Sequence, residues 1–167
     1  HRLAGIEAGA DDFLTKPFNE AELLQRIVNL LEIRSLLQRR YARDLRFDAT
    51  LPTELGQRDQ AFLGKLARVT EARYTDPELS VDCLASALAV SERHLQRKVK
   101  ALVGLAPAEY LRGYRLQRAH ERLRAGERPS DVTHAVGFGS HAYFTACFKA
   151  QFGYTPGEAA DPEIVHA

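Results

Sequence analysis

Methionine and tryptophan are absent from the 167 residues, and cysteine occurs only twice. Without methionine, His1 is not expected to be a native start, and the sequence reads as the C-terminal part of a longer protein. Cys83 and Cys147 stand in no metal-ligand or redox spacing. That argues against a disulfide scaffold and a zinc site, so no metal and no cofactor is expected, and a reducing cytoplasm is the default location. No apolar run approaches the roughly 18 residues of a membrane span, and no basic-then-apolar leader opens the chain. No membrane contact is expected. With 45% apolar and 27% charged residues, 11 Gly and 7 Pro, the composition excludes collagen-like, mucin-like and wholly disordered chains.

Net charge is only +1, from 23 basic and 22 acidic residues. The balance is uneven. Residues 80–157 hold 11 Lys and Arg against 6 Asp and Glu, a net of +5, and the remainder is −4. Charge alone leaves two readings open, chance scatter over solvated faces or a nucleic-acid footprint. The placement of the basic residues decides between them.

Residues 3–9 read as the end of a helix stopped by Gly9. Asp11-Asp12 and the short apolar run Phe13-Leu14-Thr15 then read as a buried strand, closed by Lys16-Pro17. Asn19 can cap a helix of about Glu20 to Arg43, with Glu20 and Glu22 in its positive first turn. Its stripe is Leu23, Ile27, Leu30, Arg34, Leu37 and Tyr41. At roughly 36 Å it suits either a signalling, dimerising helix or one packed on its own domain. Residues 44–56 have no periodicity, carry Pro52 and Gly56, and read as a linker. Beyond them the chain reads as helical. Residues 58–73 form an amphipathic helix on Phe62, Leu63, Leu66, Ala67 and Val69; Asp76-Pro77 breaks it, and Ser80 starts the next.

The most informative feature is an internal repeat. Ser91, Leu95, Val99, Lys100, Gly104 and Pro107 recur as Ser140, Phe144, Phe148, Lys149, Gly153 and Pro156, at a constant offset of 49 residues. A short helix and tight turn precede each set, Val81 to Leu88 then Ala89-Val90, and Ser130 to Val136 then Gly137-Phe138-Gly139. Each unit therefore reads helix, turn, capped helix. The serine is the N-cap, the pair four residues apart is buried, the glycine ends the helix, and the proline begins the next. This is the layout of a helix-turn-helix, whose second helix enters the major groove of DNA.

Within the first unit, Arg93, Gln96, Arg97 and Lys100 form one stripe opposite Leu95 and Val99. Arginine pairs with guanine and glutamine with adenine in the groove. A solvated helix face is the bland alternative. A helix of about Ala106 to Arg124, roughly 28 Å long, joins the units and can hold two recognition helices in successive grooves. Its Arg112, Arg115, Arg118 and Arg122 are expected to face solvent or form ion pairs.

The segments SVDCLASALAVSERHLQRKVKALVGLAPAEYLRGYRLQRAHERL and VTHAVGFGSHAYFTACFKAQFGYTP resemble the DNA-binding domain of AraC/XylS-family bacterial transcription regulators, over about residues 57–160. The resemblance implies an all-α fold in the main: seven helices, with two helix-turn-helix units joined by a long helix. By position it places Arg93, Gln96 and Arg97 on the first base-contacting face, and His141, Ala142, Thr145 and Ala146 on the second. The family usually has arginine at Ala146 and often a polar residue at Ala142. The second helix is thus expected to hold phosphate through Ser140, His141, Thr145 and Lys149 and to specify little. An aromatic-Arg pair usual after the final proline is replaced by Ala159-Ala160, so the last helix is expected to pack loosely.

The segment GIEAGADDFLTKPFNEAELLQRI resembles the end of a response-regulator receiver domain, a short strand and a long helix. Lys16 matches the phosphoryl-contacting lysine, Pro17 the proline after it, and Phe13 the aromatic switch position. Asp11 and Asp12 match neither acceptor nor Mg²⁺ ligands. The resemblance implies residues 1–43 as a receiver remnant, 44–56 as linker, 57–160 as the DNA-binding domain and 161–167 as a tail. It implies the output of a two-component phosphorelay protein, a plain regulator or a hybrid kinase, with double-stranded DNA and RNA polymerase as partners and a homodimer through helix 20–43.

An enzyme is the rival class. His94, His120, His134 and His141 form no ligand pair, both cysteines fall inside helices as small core residues, and a thiol methyl acceptor would need a cysteine cluster. No catalytic residue is therefore assigned. A protein-interaction module that has given up DNA is the other alternative, kept open by Ala146 and weighed against the Arg93, Gln96, Arg97 face.

Overall fold

A computed structural model describes residues 56–161. The strand and helix expected within 1–43, dimerisation through helix 20–43, the linker before Gly56 and the tail after Asp161 lie outside the described residues. Among those, the chain forms seven helices and no strand: α1 (Gln57–Arg73), α2 (Val81–Ala87), α3 (Glu92–Val103), α4 (Pro107–Arg124), α5 (Pro129–Ala135), α6 (His141–Phe152) and α7 (Pro156–Ala159). The expected seven-helix architecture is present, with α2–α3 and α5–α6 as helix-turn-helix units and α4 between them.

The sequence repeat is a repeat of helix ends. Ser91 Oγ accepts from the His94 amide at 3.2 Å, and Ser140 Oγ from the Tyr143 amide at 3.3 Å, so each long second helix has an orphan donor satisfied by a serine. The same helices stop at Gly104 and Gly153, whose φ values are 83° and 84°. Pro107 and Pro156 are the first residues of α4 and α7, where a missing N–H costs nothing.

The two turns share one hydrogen-bond pattern. In the first, Ala89 N donates to Ser86 O and Val90 N to Ala85 O; in the second, Gly137 N donates to His134 O and Phe138 N to Thr133 O. Both are Schellman closures, which require a left-handed residue after the helix. Ala89 takes that position at φ 57°, and Gly137 at φ 83°. Gly139 makes the second turn one residue longer.

Packing divides into two cores that share α4. Leu63, Leu66, Leu84, Leu88, Leu95 and Val99 meet Tyr110 and Leu111 from the first half of α4. Val132, Val136, Phe138, Phe144 and Phe148 meet Leu116, Ala119 and Leu123 from its second half. A single rigid helix of about 27 Å therefore belongs to both units. Cys83 packs against the first core and Cys147 against the second, as small side chains at their edges. Lys98 turns inward from α3 to reach Asp59 of α1 at 3.0 Å, with its ammonium 5.2 Å from the Phe62 ring centre.

The last helix departs from its expectation. α7 is only four residues long, yet Thr155 and Glu158 form a reciprocal capping box at its start, and those hydrogen bonds hold the Glu158 carboxyl below its ordinary pKa. Ala159 is buried in the second core. It shares that core with Phe148, and Phe152 and Tyr154 pack against it; the three aromatics also gather around His120 of α4.

Candidate nucleic-acid interface

Burial on α3 separates its two faces cleanly. Leu95 and Val99 are fully buried, and Arg93, Gln96, Arg97 and Lys100 are exposed. Arg93, Gln96 and Arg97 line a shallow concavity with Ser91 and His94 at the N-terminal end of the helix. Glu92 Oε1 accepts from Gln96 Nε2 at 2.9 Å, which leaves the amide oxygen and one N–H of Gln96 directed outward. Arg97 approaches His94 Nδ1 at 3.4 Å. Two guanidinium groups and an amide thus stand on a capped helix end, with charge and donor geometry suited to base edges and phosphate.

α6 presents a different surface. His141, Ala142, Ala146 and Lys149 are exposed and Thr145 is half-buried. Ala146 lies where Arg97 lies in the first unit, so this face lacks the corresponding guanidinium. Ser140 is engaged as the cap, with its O–H still able to donate. Tyr143 is 53% exposed, the large hydrophobic residue most open to solvent among the described residues. Its hydroxyl is 3.5 Å from an Arg112 guanidinium nitrogen, a contact that raises the Arg112 pKa. The structure therefore gathers Arg93, Gln96 and Arg97 on the leading half of α3 and His141, Thr145 and the cap Ser140 on that of α6, one rich in charge and one poor, while Lys100 and Lys149 lie in the last turns of the two helices.

Sequence reasoning missed the groups that support these ends. Arg115 was expected to meet solvent or a carboxylate. Instead its Nε donates to Tyr74 O at 2.9 Å and a terminal nitrogen to Asp76 O at 2.6 Å. It ties the loop after α1 to α4, and partial burial lowers its pKa, opposed by Asp76. That loop is itself shaped by Asp76, whose carboxylate binds Arg73 at 3.0 Å and the Glu78 amide at 2.9 Å; these bonds hold its pKa down. Gly137 of the second turn presses on the same Tyr74 carbonyl and on Arg115, leaving no room for a Cβ. One guanidinium thus joins the loop after α1, the spacer and the turn of the second unit. Arg118 and Arg122 do form the expected ion pairs, with Glu121 at 3.2 Å and Glu127 at 2.9 Å.

Thr133 was also missed. It is fully buried and hydrogen-bonds both Pro129 O and His141 Nδ1. The available signal is a hydroxyl at the position equivalent to Ala85, a polar residue where the first unit has a small buried core residue. Among the described residues no group of His, Cys, Asp and Glu is placed to hold a metal, and no helix is long and apolar enough to cross a membrane.

A family model described as "Helix-turn-helix domain" matches residues 84–161. The chain is similar to a solved transcriptional regulator from Chromobacterium violaceum, described as of the AraC-type DNA-binding domain-containing proteins. Identity is 30%, the match covers 63% of this chain and 94% of that one, and the TM-score is 0.56. It is similar at 25% identity to the C-terminal domain of the two-component response regulator yesN from Fusobacterium nucleatum, over 57% of this chain and 94% of that one, with TM-score 0.54. It is 31% identical over 159 residues to histidine kinase P4 of Formosa agariphila, covering 95% of this chain and 12% of the kinase. The curated relatives are longer proteins; the chain spans 12% of the kinase and 37% of the HTH-type transcriptional activator RhaS of Enterobacter.

Proposed function

Because the chain belongs to the AraC-type family of helix-turn-helix DNA-binding domains, we propose that it is the sequence-specific DNA-binding output of a two-component phosphorelay protein. In this reading α3 and α6 dock in successive major grooves of one duplex, with α4 as the rigid spacer. The observation that carries it is the exposed stripe of Arg93, Gln96 and Arg97 on the capped end of α3, opposite a fully buried Leu95 and Val99. Arg93, Gln96 and Arg97 read bases, and Lys100, Ser140, His141, Thr145 and Lys149 supply the second set of contacts to the duplex.

The phosphorelay assignment draws on the receiver-like residues Phe13, Lys16 and Pro17 and on the likeness to a histidine kinase across 95% of this chain. The latter favours a hybrid kinase over a plain regulator. Residues 1–43 are then the end of a receiver, 44–56 the linker, and 57–160 the DNA-binding unit. Phosphorylation of the parent protein would change pairing through helix 20–43, and avidity would convert pairing into occupancy of paired sites. RNA polymerase is the expected downstream partner, in the cytoplasm.

Selection of bound duplexes from a random library at two salt concentrations tests the reading. Two enriched blocks about one helical turn apart are expected, with affinity falling steeply as salt rises. No enrichment at either salt would overturn it in favour of a protein-interaction module.

A further inference from the structure

Thr133 has one hydroxyl hydrogen and two partners. Its Oγ1 lies 2.8 Å from Pro129 O and 2.8 Å from His141 Nδ1. The Pro129 carbonyl carries only lone pairs, so the hydroxyl donates there. The imidazole then meets a threonine lone pair, and Nδ1 must carry the hydrogen that bridges the two. The opposite assignment would set two oxygen lone pairs against each other beside a fully buried side chain, where no water can relieve them. A neutral imidazole has a single N–H. With that N–H at Nδ1, Nε2 is a bare acceptor.

His141 is the first residue of α6 and is exposed. Its ring also rests at 6.2 Å from that of Phe144, so packing and hydrogen bond act together on its orientation. The first unit has no such relay: Ala85 and Glu92 stand at the equivalent positions, and Glu92 is engaged with Gln96. The second helix, short of an arginine at Ala146, thus carries a chemically distinct group on its leading turn.

We infer that His141 is a specificity-determining residue of fixed tautomer, which accepts a hydrogen bond from the exocyclic amino group of a cytosine or adenine in the major groove. The inference rests on the DNA-docking reading above. It also departs from a phosphate role for the neutral ring, because a bare Nε2 has no hydrogen to give a phosphate oxygen. Guanine offers only the acceptors N7 and O6 in the major groove, and thymine O4 and a methyl group. Both oppose a lone pair. One neutral hydrogen bond gained against one such opposition corresponds to a preference of about five- to tenfold.

The test uses the 167-residue chain and a duplex library at mildly alkaline pH, where an imidazole is neutral. Wild type is expected to favour cytosine or adenine about five- to tenfold at one position of the second block. Thr133→Ser, which keeps the hydroxyl, retains the preference. Thr133→Val and His141→Ala reduce it to within about twofold and leave the first block intact. Nitrogen-15 NMR of the free wild-type protein reads the tautomer without any substitution, and is expected to show a protonated Nδ1 and an unprotonated Nε2. A protonated Nε2, a His141-dependent preference for guanine or thymine, or a flat second block beside a selective first block overturns the assignment alone. Absence of enrichment in both blocks overturns the docking reading and this assignment with it.

Discussion

Gly137 and Ala89 occupy the same left-handed position in the two turns, and the structure predicts opposite signs for exchanging their side chains. In Gly137→Ala the new Cβ enters at φ 83°, which costs an L residue about 1–2 kcal/mol. It also meets the Tyr74 carbonyl oxygen closer than van der Waals contact allows, with the Arg115 guanidinium 3.0 Å away. The obstruction is backbone held in place by Arg115, so relief requires moving the loop after α1 or opening the turn. Overpacking of this kind costs a further 1–3 kcal/mol or so. The sum is about 2–5 kcal/mol. Ala89→Gly removes a left-handed penalty at an exposed site with φ 57°, at the expense of a more flexible unfolded chain, and should stabilise by up to about 1 kcal/mol. Urea denaturation of both variants followed by far-UV circular dichroism measures the pair. A Gly137→Ala variant within about 0.5 kcal/mol of wild type, or Ala89→Gly less stable than wild type, would refute the reasoning.

Other substitutions separate reading from gripping. Arg97→Ala should cost roughly 1–3 kcal/mol of binding and relax base preference in the first block, whereas Lys149→Ala should weaken all sequences alike and flatten the salt slope; competition binding at two salts distinguishes them. Arg115→Ala removes the guanidinium from the Tyr74 carbonyl and leaves the Asp76 carbonyl with the Leu79 amide alone; it should lower stability by about 1–3 kcal/mol and broaden the spacing tolerated between the two blocks, as read by binding to duplexes with inserted base pairs. His120 is packed among Phe148, Phe152 and Tyr154, with Nε2 2.8 Å from the Tyr154 hydroxyl. Burial, and then Arg124, lower its pKa below the usual 6.5, with Glu121 opposing. The unfolded chain therefore takes up the proton first as pH falls. The stability contributed by neutral His120 is complete above about pH 6.5 and is lost as pH drops through the folded value. Urea midpoints measured from pH 7.5 to about 5 should fall for wild type and change less for His120→Gln.

The fold was legible because the repeat encodes helix ends. Ser91 and Ser140, Gly104 and Gly153, and Pro107 and Pro156 each mark a boundary through a local mechanism that needs no tertiary partner, and the structure uses all six as caps, stops and starts. The candidate stripe on α3 was legible for a related reason, since its exposure follows from helical spacing once Leu95 and Val99 are buried. What the sequence did not reveal depends on contacts between distant segments. Arg115 reads as one more surface arginine until α4 is set against the loop at Tyr74, 41 residues away. Thr133 and His141 belong to different helices, and their bond exists only after the turn has folded. The burial of Ala159 is not legible in the missing aromatic-Arg pair, because it depends on the second core, where Phe148 joins it and Phe152 and Tyr154 pack on.

Hydroxyl-radical footprinting of the chain on a selected duplex tests most directly the central claim that one chain occupies two successive major grooves. The account predicts two protected patches on one face of the duplex, about one helical turn apart, at protein concentrations where a single chain is bound per site. A single protected patch, or two whose separation varies between sites, would contradict it.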